Sequence, residues 1–189
     1  MNQLQNWYYD VLNAPSDINE NLPHLFEYAQ MCESVIEMGT REGVSIFAFA
    51  AAKPKFLRSI DLYRYPNATM LETACKEVGI DYEHQVGSTL EIEIPEVDLL
   101  FIDTEHSYAQ LKAELALHGN KAKRFLAFHD TTTFGYEDSS SYGDQGLKKV
   151  DGKRGLMPAI NEFLQENPHW VVDLVKENNN GMTILKRID

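Results

Sequence analysis

The chain has 189 residues, of which 43% are hydrophobic, so it is long enough and apolar enough for one globular domain with a sizeable core. Its formal net charge of −12 disfavours a nucleic-acid backbone or an anionic membrane surface as the main partner, because both repel an acidic protein. The sequence has no run of membrane-spanning length, no signal-peptide pattern and no Cys-x-x-Cys spacing, so we expect a soluble cytoplasmic protein.

The first 32 residues predict a helical N-terminal extension. Apolar residues recur at helical spacing over 3–13, Pro15 and Asp17 break the pattern, and a second helix is predicted over 21–32. We expect these helices to pack against the rest of the domain. A cover over a ligand, or a contact in a homo-oligomer, is the alternative.

Residues 35–45 combine a short buried strand, a glycine turn and the start of a helix, which is expected to begin at about Gly43. Glycine lets the backbone approach a ligand closely, and the open N–H groups of a helix N-terminus face that ligand. Between Gly39 and Gly43 the turn lacks the middle glycine of the dinucleotide fingerprint, and residues 41–42 would crowd a pyrophosphate. Glu37 adds a negative charge beside the turn, which favours a cationic ligand over a phosphate.

A second buried strand is predicted over 56–61 and ends in Asp61. An acid in this place can accept both hydrogen bonds from an adenosine ribose, and this geometry suits a nicotinamide dinucleotide as well as S-adenosylmethionine. After a helix over 67–78, residues 82–88 predict a third strand with a glycine turn.

Two further buried strands end in polar residues that can do chemistry. The strand over 97–103 ends in Asp103, and the strand over 124–130 ends in His129 and Asp130. Apolar strands that alternate with helices imply a parallel sheet covered on both faces. Such sheets bind ligands at the carboxyl ends of their strands, where these acids lie.

The C-terminal third begins with a segment, 131–155, that has no periodicity and is expected to be a loop over the substrate. Disorder without function is the alternative for this segment. A helix is predicted over 156–166. The run 178–181, Asn-Asn-Asn-Gly, then predicts a hairpin between strands at 170–175 and 182–186.

Three motifs in this order resemble those of class I S-adenosylmethionine-dependent methyltransferases. The resemblance is to the branch with antibiotic-sugar O-methyltransferases and cephalosporin-hydroxylase-like proteins, and it covers roughly residues 33 to 187. The matching residues are Glu37, Gly39, Thr40, Gly43 and Ser45 in the first motif, residues 103–108 in the second and residues 128–131 in the third. The resemblance implies a single Rossmann-like α/β domain over 1–189, with a mostly parallel seven-stranded sheet, helices on both faces and a C-terminal antiparallel hairpin.

The same resemblance implies S-adenosylmethionine as the cofactor, with its ribose bound by Asp61 and its adenine near Ser88. The expected cofactor-binding residues are Glu37, Gly39, Thr40, Gly43, Ser45, Asp61, Ser88 and Asp103. Asp103 and His106 are the catalytic candidates. His106 is expected to be the general base, because the pKa of histidine lies near operating pH. A helix-capping role, or a role in holding Asp103 or Asp130, is the alternative for His106.

Metal-dependent O-methyltransferases place ligands after the fourth and fifth strands, and Asp103, His129 and Asp130 match those positions. Carboxylate oxygens suit Mg²⁺, which can lower the pKa of an acceptor hydroxyl and fix its position. His129 stands where a carboxylate is more usual, so the identity and the presence of a divalent cation stay open. For Asp130, a loop-capping role is the alternative.

These observations predict an S-adenosylmethionine-dependent methyltransferase that methylates an oxygen of a small molecule, such as a sugar. A nicotinamide-dependent oxidoreductase and a catalytically inactive cofactor-binding protein of the same fold are the alternatives. A hydroxylase-like relative that uses the same metal site is a further one, since one fold hosts several chemistries. The sequence names neither the acceptor nor the oligomeric state.

Overall fold

The computed structural model of the protein describes residues 2–139 and 152–188. Its seven strands form one sheet with the order β3-β2-β1-β4-β5-β7-β6. The strands are β1 (Ser34–Met38), β2 (Phe56–Asp61), β3 (Asp81–Val86), β4 (Val97–Ile102), β5 (Ala122–His129), β6 (Trp170–Lys176) and β7 (Met182–Arg187). Neighbouring strands among β1 to β5 pair in parallel, while β7 pairs antiparallel with both β5 and β6. This confirms the predicted mostly parallel sheet and its C-terminal hairpin.

Six helices of the described residues cover the sheet. They are α1 (Gln3–Asn13), α2 (Leu22–Gln30), α3 (Ser45–Ala52), α4 (Ala68–Glu77), α5 (Tyr108–His118) and α6 (Leu156–Glu166). None of them is long and apolar enough to cross a membrane. Both α1 and α2 pack against α3, so the N-terminal extension belongs to one of the helical layers.

The hydrophobic core lies in two layers, one on each face of the sheet. Successive side chains of a strand point to opposite faces, so Leu99 and Phe101 join the layer under α1 to α4. Leu100 and Ile102 join the layer under α5 and α6. The continuous apolar run of β4 is therefore the signature of a strand buried on both sides.

The start of α3 differs from its predicted position for a reason that the backbone shows. The helix expected to begin near Gly43 begins at Ser45, because the φ angle of Gly43 is +80° and no right-handed helix passes through that conformation. In the predicted substrate loop, residues 131–139 and 152–155 form turns beside the sheet edge, and residues 140–151 of that prediction lie outside the described residues.

Candidate functional site

A cavity of about 430 Å³ opens at the carboxyl ends of the parallel strands, within the size range of cofactor pockets. Its wall contains six of the residues that the sequence predicted for cofactor binding or catalysis: Gly39, Thr40, Ser45, Asp61, Asp103 and His106. The predicted residues Glu37, Gly43 and Ser88 are not part of the wall. Ser88 lies between two wall residues, Gly87 and Thr89, and its Oγ accepts a hydrogen bond from the backbone N–H of Leu90 at 3.2 Å.

The glycine turn after β1 is closed by contacts with neighbouring strands. The backbone N–H of Gly39 donates to the carbonyl of Ile60 in β2 at 2.8 Å. A Cβ atom on Gly39 would lie 1.9 Å from the carbonyl oxygen of Asp103, and the φ angle of Gly39 is +86°. Glycine is thus required here by packing against the end of β4, and this close contact places the turn directly beside Asp103.

Asp61 at the end of β2 holds the same turn from the other side. Its Oδ2 accepts from the backbone N–H groups of Thr40 at 2.9 Å and Arg41 at 2.7 Å, and its Oδ1 accepts from Tyr63 at 3.2 Å. Each carboxylate oxygen has two lone pairs, so Asp61 keeps acceptor capacity toward the cavity. The predicted ribose acid therefore also supports the fold of the glycine turn.

Glu37 lies buried behind the wall and is linked to it through Ser45. The hydroxyl of Ser45 donates to Oε1 of Glu37 at 2.5 Å, while Oε2 is buried without a hydrogen-bond partner among the described residues. Burial raises the pKa of Glu37 to about 8, although the hydrogen bond from Ser45 lowers it. A buried carboxyl oxygen of this kind calls for a donor or a cation, because an unpaired polar group in the interior is costly.

The ends of β4 and β5 bring together the four residues predicted for the reaction side. Nε2 of His106 lies 2.8 Å from Oδ2 of Asp130 and 3.5 Å from Oδ1 of Asp103. Nδ1 of His129 lies 3.1 Å from Oδ2 of Asp130 and 3.4 Å from Oδ2 of Asp103. Two carboxylates and two imidazoles thus share one corner of the sheet edge, which we call the Asp–His cluster (Asp103, His106, His129 and Asp130).

The charges in the Asp–His cluster balance each other. Burial disfavours charged imidazoles, but hydrogen bonds to Asp103 and Asp130 outweigh it and raise the pKa of His106 to about 9 and that of His129 to about 10. Burial likewise opposes ionisation of the two acids, yet hydrogen bonds from both histidines hold the pKa of Asp130 and of Asp103 below the usual range. Near neutral pH His106 is therefore a cation, and it can act as a base only after it loses that proton.

The position of His129 is fixed by the β6–β7 turn. Its Nε2 lies 2.9 Å from the backbone carbonyl of Asn179. Because a carbonyl only accepts, Nε2 carries a hydrogen and Nδ1 faces the two carboxylates. When His129 is neutral, Nδ1 presents a lone pair to the same point as those carboxylates, which is how a metal-ligating histidine is commonly held.

The residues of this corner fit a divalent cation. One ligand atom each from Asp103, His129 and Asp130 lie within 4.8 Å of one another. Oδ1 of Asp130 is buried without a hydrogen-bond partner among the described residues, and the φ angle of Asp130 is +61°, in the left-handed region. An unusual backbone conformation and an unsatisfied oxygen at one residue are expected where a ligand completes the site.

Several wall residues were not predicted as site residues from the sequence. Among them are Asp17 and Ile18 from the segment before α2, Thr89 after β3, Thr104 after β4 and Gln110 on α5. Thr104 lies inside the second sequence motif, directly after Asp103, and that position could have indicated a residue of the cavity wall. Asp17 and Ile18 belong to a segment with no periodic pattern, and their position depends on contacts that are distant in sequence.

Comparisons with known proteins agree with this architecture. No family model and no curated protein sequence matches the chain. Among solved structures, an O-methyltransferase from Bacillus cereus in complex with S-adenosylhomocysteine aligns with a TM-score of 0.65 at 13% identity, over 96% of this chain and 90% of that one. The O-methyltransferase TomG from Streptomyces achromogenes, involved in tomaymycin synthesis and solved with S-adenosylmethionine, aligns with a TM-score of 0.61 at 16% identity, over 93% and 82% of the two chains.

A third similar structure is the 1,6-didemethyltoxoflavin-N1-methyltransferase from Burkholderia thailandensis with bound S-adenosylhomocysteine, with a TM-score of 0.63 at 13% identity over 96% and 82% of the two chains. All three similarities cover most of both chains. At these identities they establish the architecture, and they agree with the motifs that the sequence carries. The chain has the fold of the class I S-adenosylmethionine-dependent methyltransferases.

Proposed function

We propose that this chain is an S-adenosylmethionine-dependent methyltransferase that acts on an oxygen atom of a small molecule. The observation that carries the proposal is that one cavity wall contains both halves of such a site. Asp61 and the glycine turn form the part suited to a nucleoside, and Asp103 with His106 forms the reactive part. Several solved structures of this fold contain this cofactor or its product.

The chain's residues divide the work of holding the cofactor. Asp61 accepts from the ribose hydroxyls, and the turn at Gly39 and Thr40 lies against the methionine part. Burial keeps Glu37 protonated near neutral pH, and the cationic end of the ligand at that turn would favour its ionised form, in which Ser45 donates to one oxygen and the other is unpartnered. A pyrophosphate would meet the carboxylates of Asp61 and Asp103 on the cavity wall, which supports the sulfonium cofactor over a nicotinamide dinucleotide.

Methyl transfer forms a bond between the acceptor oxygen and the methyl carbon as the carbon–sulfur bond breaks. S-adenosylhomocysteine leaves, and the acceptor's proton moves to a base. In this proposal the cavity holds the methyl group in line with the acceptor, since orientation supplies much of the acceleration. Once His106 has lost the proton that Asp103 and Asp130 stabilise, it receives the acceptor's proton from its place on the cavity wall, where it stacks on Phe134 with 4.7 Å between the ring centroids.

The proposal includes a divalent cation held by Asp103, His129 and Asp130. When bound, such an ion lowers the pKa of an acceptor hydroxyl and positions it. The nitrogen ligand of His129 favours a first-row transition metal such as Mn²⁺ more than it favours Mg²⁺, whose usual ligands are all oxygens. This ion would also neutralise the two carboxylates that the histidines otherwise balance.

Direct metal binding tests this part without any activity assay. Titration of Mn²⁺ monitored by electron paramagnetic resonance is expected to show one site per chain. Asp130→Asn should weaken that site by at least about tenfold, because a neutral amide replaces an anionic ligand. Asp81→Asn, an equal charge change at the exposed start of β3, should leave it unchanged. Equal Mn²⁺ affinity in both variants would remove the metal from the proposal.

The methyl acceptor is tested by activity. Purified protein with S-adenosylmethionine, with and without Mn²⁺ or Mg²⁺, is assayed against a panel of sugars, phenols and nitrogen heterocycles, and S-adenosylhomocysteine is measured as the common product. Oxygen acceptors are expected to react. Turnover of nitrogen acceptors alone would keep the methyltransferase assignment and overturn the choice of oxygen.

A further inference from the structure

A buried carboxylate lies directly behind the cofactor cavity. Glu114 on α5 is fully buried, and it is not part of the cavity wall. Three wall residues donate hydrogen bonds to it, namely Thr89, Thr104 and Gln110, which we call the acceptor wall. The distances are 2.6 Å from the Thr89 hydroxyl, 2.8 Å from the Thr104 hydroxyl and 2.8 Å from the Gln110 amide.

These hydrogen bonds use up every side-chain donor of the acceptor wall. The second hydrogen of the Gln110 amide goes to Oγ1 of Thr89 at 3.2 Å, and both threonine hydroxyls give their only hydrogen to Glu114. The remaining hydrogen-bonding groups of these side chains are acceptors: lone pairs on the two threonine hydroxyls and the carbonyl oxygen of Gln110. That carbonyl oxygen is buried without a hydrogen-bond partner among the described residues. The side chains of the wall can therefore accept hydrogen bonds from a ligand and have no hydrogen left to donate.

The place of this wall in the fold indicates which part of the ligand it meets. If the ribose lies at Asp61 after β2 and the methionine part lies at the β1 turn, the purine extends toward β3. Gly87 and Thr89, which follow β3, form the cavity wall on that side. Adenine carries an exocyclic amino group with two donor hydrogens, and this group complements a wall whose side chains offer only acceptors.

We propose that Glu114 is a positioning residue that orients the acceptor wall so that it selects a cofactor whose purine carries an exocyclic amino group. This inference rests on the proposed cofactor. What it adds is that the carboxylate of Glu114, which does not touch the ligand, sets the preference for a purine with the amino group over one without it. In Glu114→Gln, a side-chain amide N–H takes the place of a carboxylate lone pair. A threonine hydroxyl of the wall then has to accept a hydrogen bond from that N–H, and its own hydrogen turns toward the cavity.

The experiment compares two ligands by calorimetry on the full chain: S-adenosylhomocysteine, and its analogue in which hydrogen replaces the adenine amino group. Burial raises the pKa of Glu114 to about 7, so the titrations are run at about pH 8.5, where the carboxylate predominates. The wild type is expected to prefer the amino compound by about three- to tenfold, the value of one net hydrogen bond. Glu114→Gln is expected to reduce that preference to less than about twofold.

Two further variants separate positioning from general destabilisation. Gln110→Met removes a wall acceptor while Glu114 keeps its hydrogen bonds to both threonines, and it should also reduce the preference. Glu162→Gln makes the same chemical change on α6, outside the cavity wall, and should keep the wild-type preference. A merely structural role for Glu114 would lower the melting temperature and leave the ratio of the two affinities unchanged.

The outcomes distinguish this inference from the proposed function. A wild type that binds S-adenosylhomocysteine without preference overturns the acceptor wall, as does a preference that survives in both Glu114→Gln and Gln110→Met. A wild type that binds neither compound overturns the proposed function itself. Loss of preference in those two variants, with retention in Glu162→Gln, supports the inference.

Discussion

The backbone of Gly39 packs against the carbonyl of Asp103 so closely that a Cβ atom would lie 1.9 Å from that oxygen. This contact joins the glycine turn after β1 to the end of β4. The backbone N–H of Asp103 in turn donates to the carbonyl of Met38 at 2.8 Å. The two halves of the proposed site are therefore held in a fixed relative position by backbone packing and by a backbone hydrogen bond.

Gly39→Ala should be strongly destabilising. Alanine is strained at the positive φ angle of +86°, and its Cβ atom has to displace the Asp103 carbonyl. We therefore expect a loss of about 3–5 kcal/mol in the free energy of unfolding. Gly79→Ala is the matched control, since Gly79 has a φ angle of +79° and an added Cβ would meet nothing within 4 Å. It should lose only about 1–2 kcal/mol. Urea unfolding measures both, and equal losses would show that the contact with Asp103 costs nothing.

Asp61→Asn should weaken cofactor binding more than it weakens the fold. Asparagine keeps an oxygen for the N–H groups of Thr40 and Arg41 but loses the charge that accepts from the ribose. Affinity for S-adenosylmethionine should fall by about 10–100-fold, as for hydrogen bonds to a charged group. Asp81→Asn, an exposed acid at the opposite end of the neighbouring strand, should bind normally in the same calorimetric titration. Unchanged affinity in Asp61→Asn would remove the ribose role.

Glu37 should make stability depend on pH. Its folded-state pKa of about 8 lies above the ordinary value of 4.5, so the unfolded chain releases this proton at lower pH than the folded chain does. The contribution of Glu37 is thus fully present below about pH 4.5 and is lost as pH rises through about 8. Wild type should lose on the order of a few kcal/mol relative to Glu37→Gln across that window. Denaturant unfolding of both proteins at several pH values measures this, and a constant difference would contradict it.

Asn179 should couple the N-terminal segment to the site. Its side chain accepts from the backbone N–H of Glu20 at 2.9 Å and donates to the carbonyl of Ser16 at 3.2 Å, on either side of the wall residues Asp17 and Ile18. Asn179→Gly keeps the positive φ angle of +50° accessible and removes both bonds. We expect a loss of about 1–2 kcal/mol and weaker cofactor binding.

The neighbouring turn residue provides the control for that prediction. Asn180 also has a positive φ angle, +67°, but its side chain accepts from the hydroxyl of Thr133 and makes no described contact with residues 16–21. Asn180→Gly should therefore leave affinity for S-adenosylmethionine unchanged. Equal losses of affinity in the two variants would mean that the turn, and not the anchoring of the N-terminal segment, matters for binding.

Much of this architecture was predictable from periodicity and strand ends. Because the carboxyl ends of parallel strands meet at one edge, acids after two neighbouring strands had to come close, and Asp103, His129 and Asp130 do. The hairpin followed from the turn chemistry of residues 178–181. In each case a local pattern was enough, since the sheet geometry supplied the rest.

What was not predictable depends on contacts between distant residues. Glycine is required at position 39 because of the carbonyl of Asp103 after β4, and no local sequence pattern indicates this contact. Thr89 enters the wall through a hydrogen bond to Glu114 on α5, and Asp17 through a segment anchored by the last hairpin. The predicted role of Ser88 stays a prediction, with its two neighbours on the cavity wall.

Thermal unfolding with and without saturating S-adenosylmethionine, with NAD in parallel, tests the central claim most directly. A ligand at about 100 times its Kd stabilises the folded state by about 2.7 kcal/mol. For a domain of this size that is a rise of about 5–11 °C in melting temperature. We predict this rise with S-adenosylmethionine and none with NAD. A rise with NAD alone, or with neither compound, would contradict the account of the cavity.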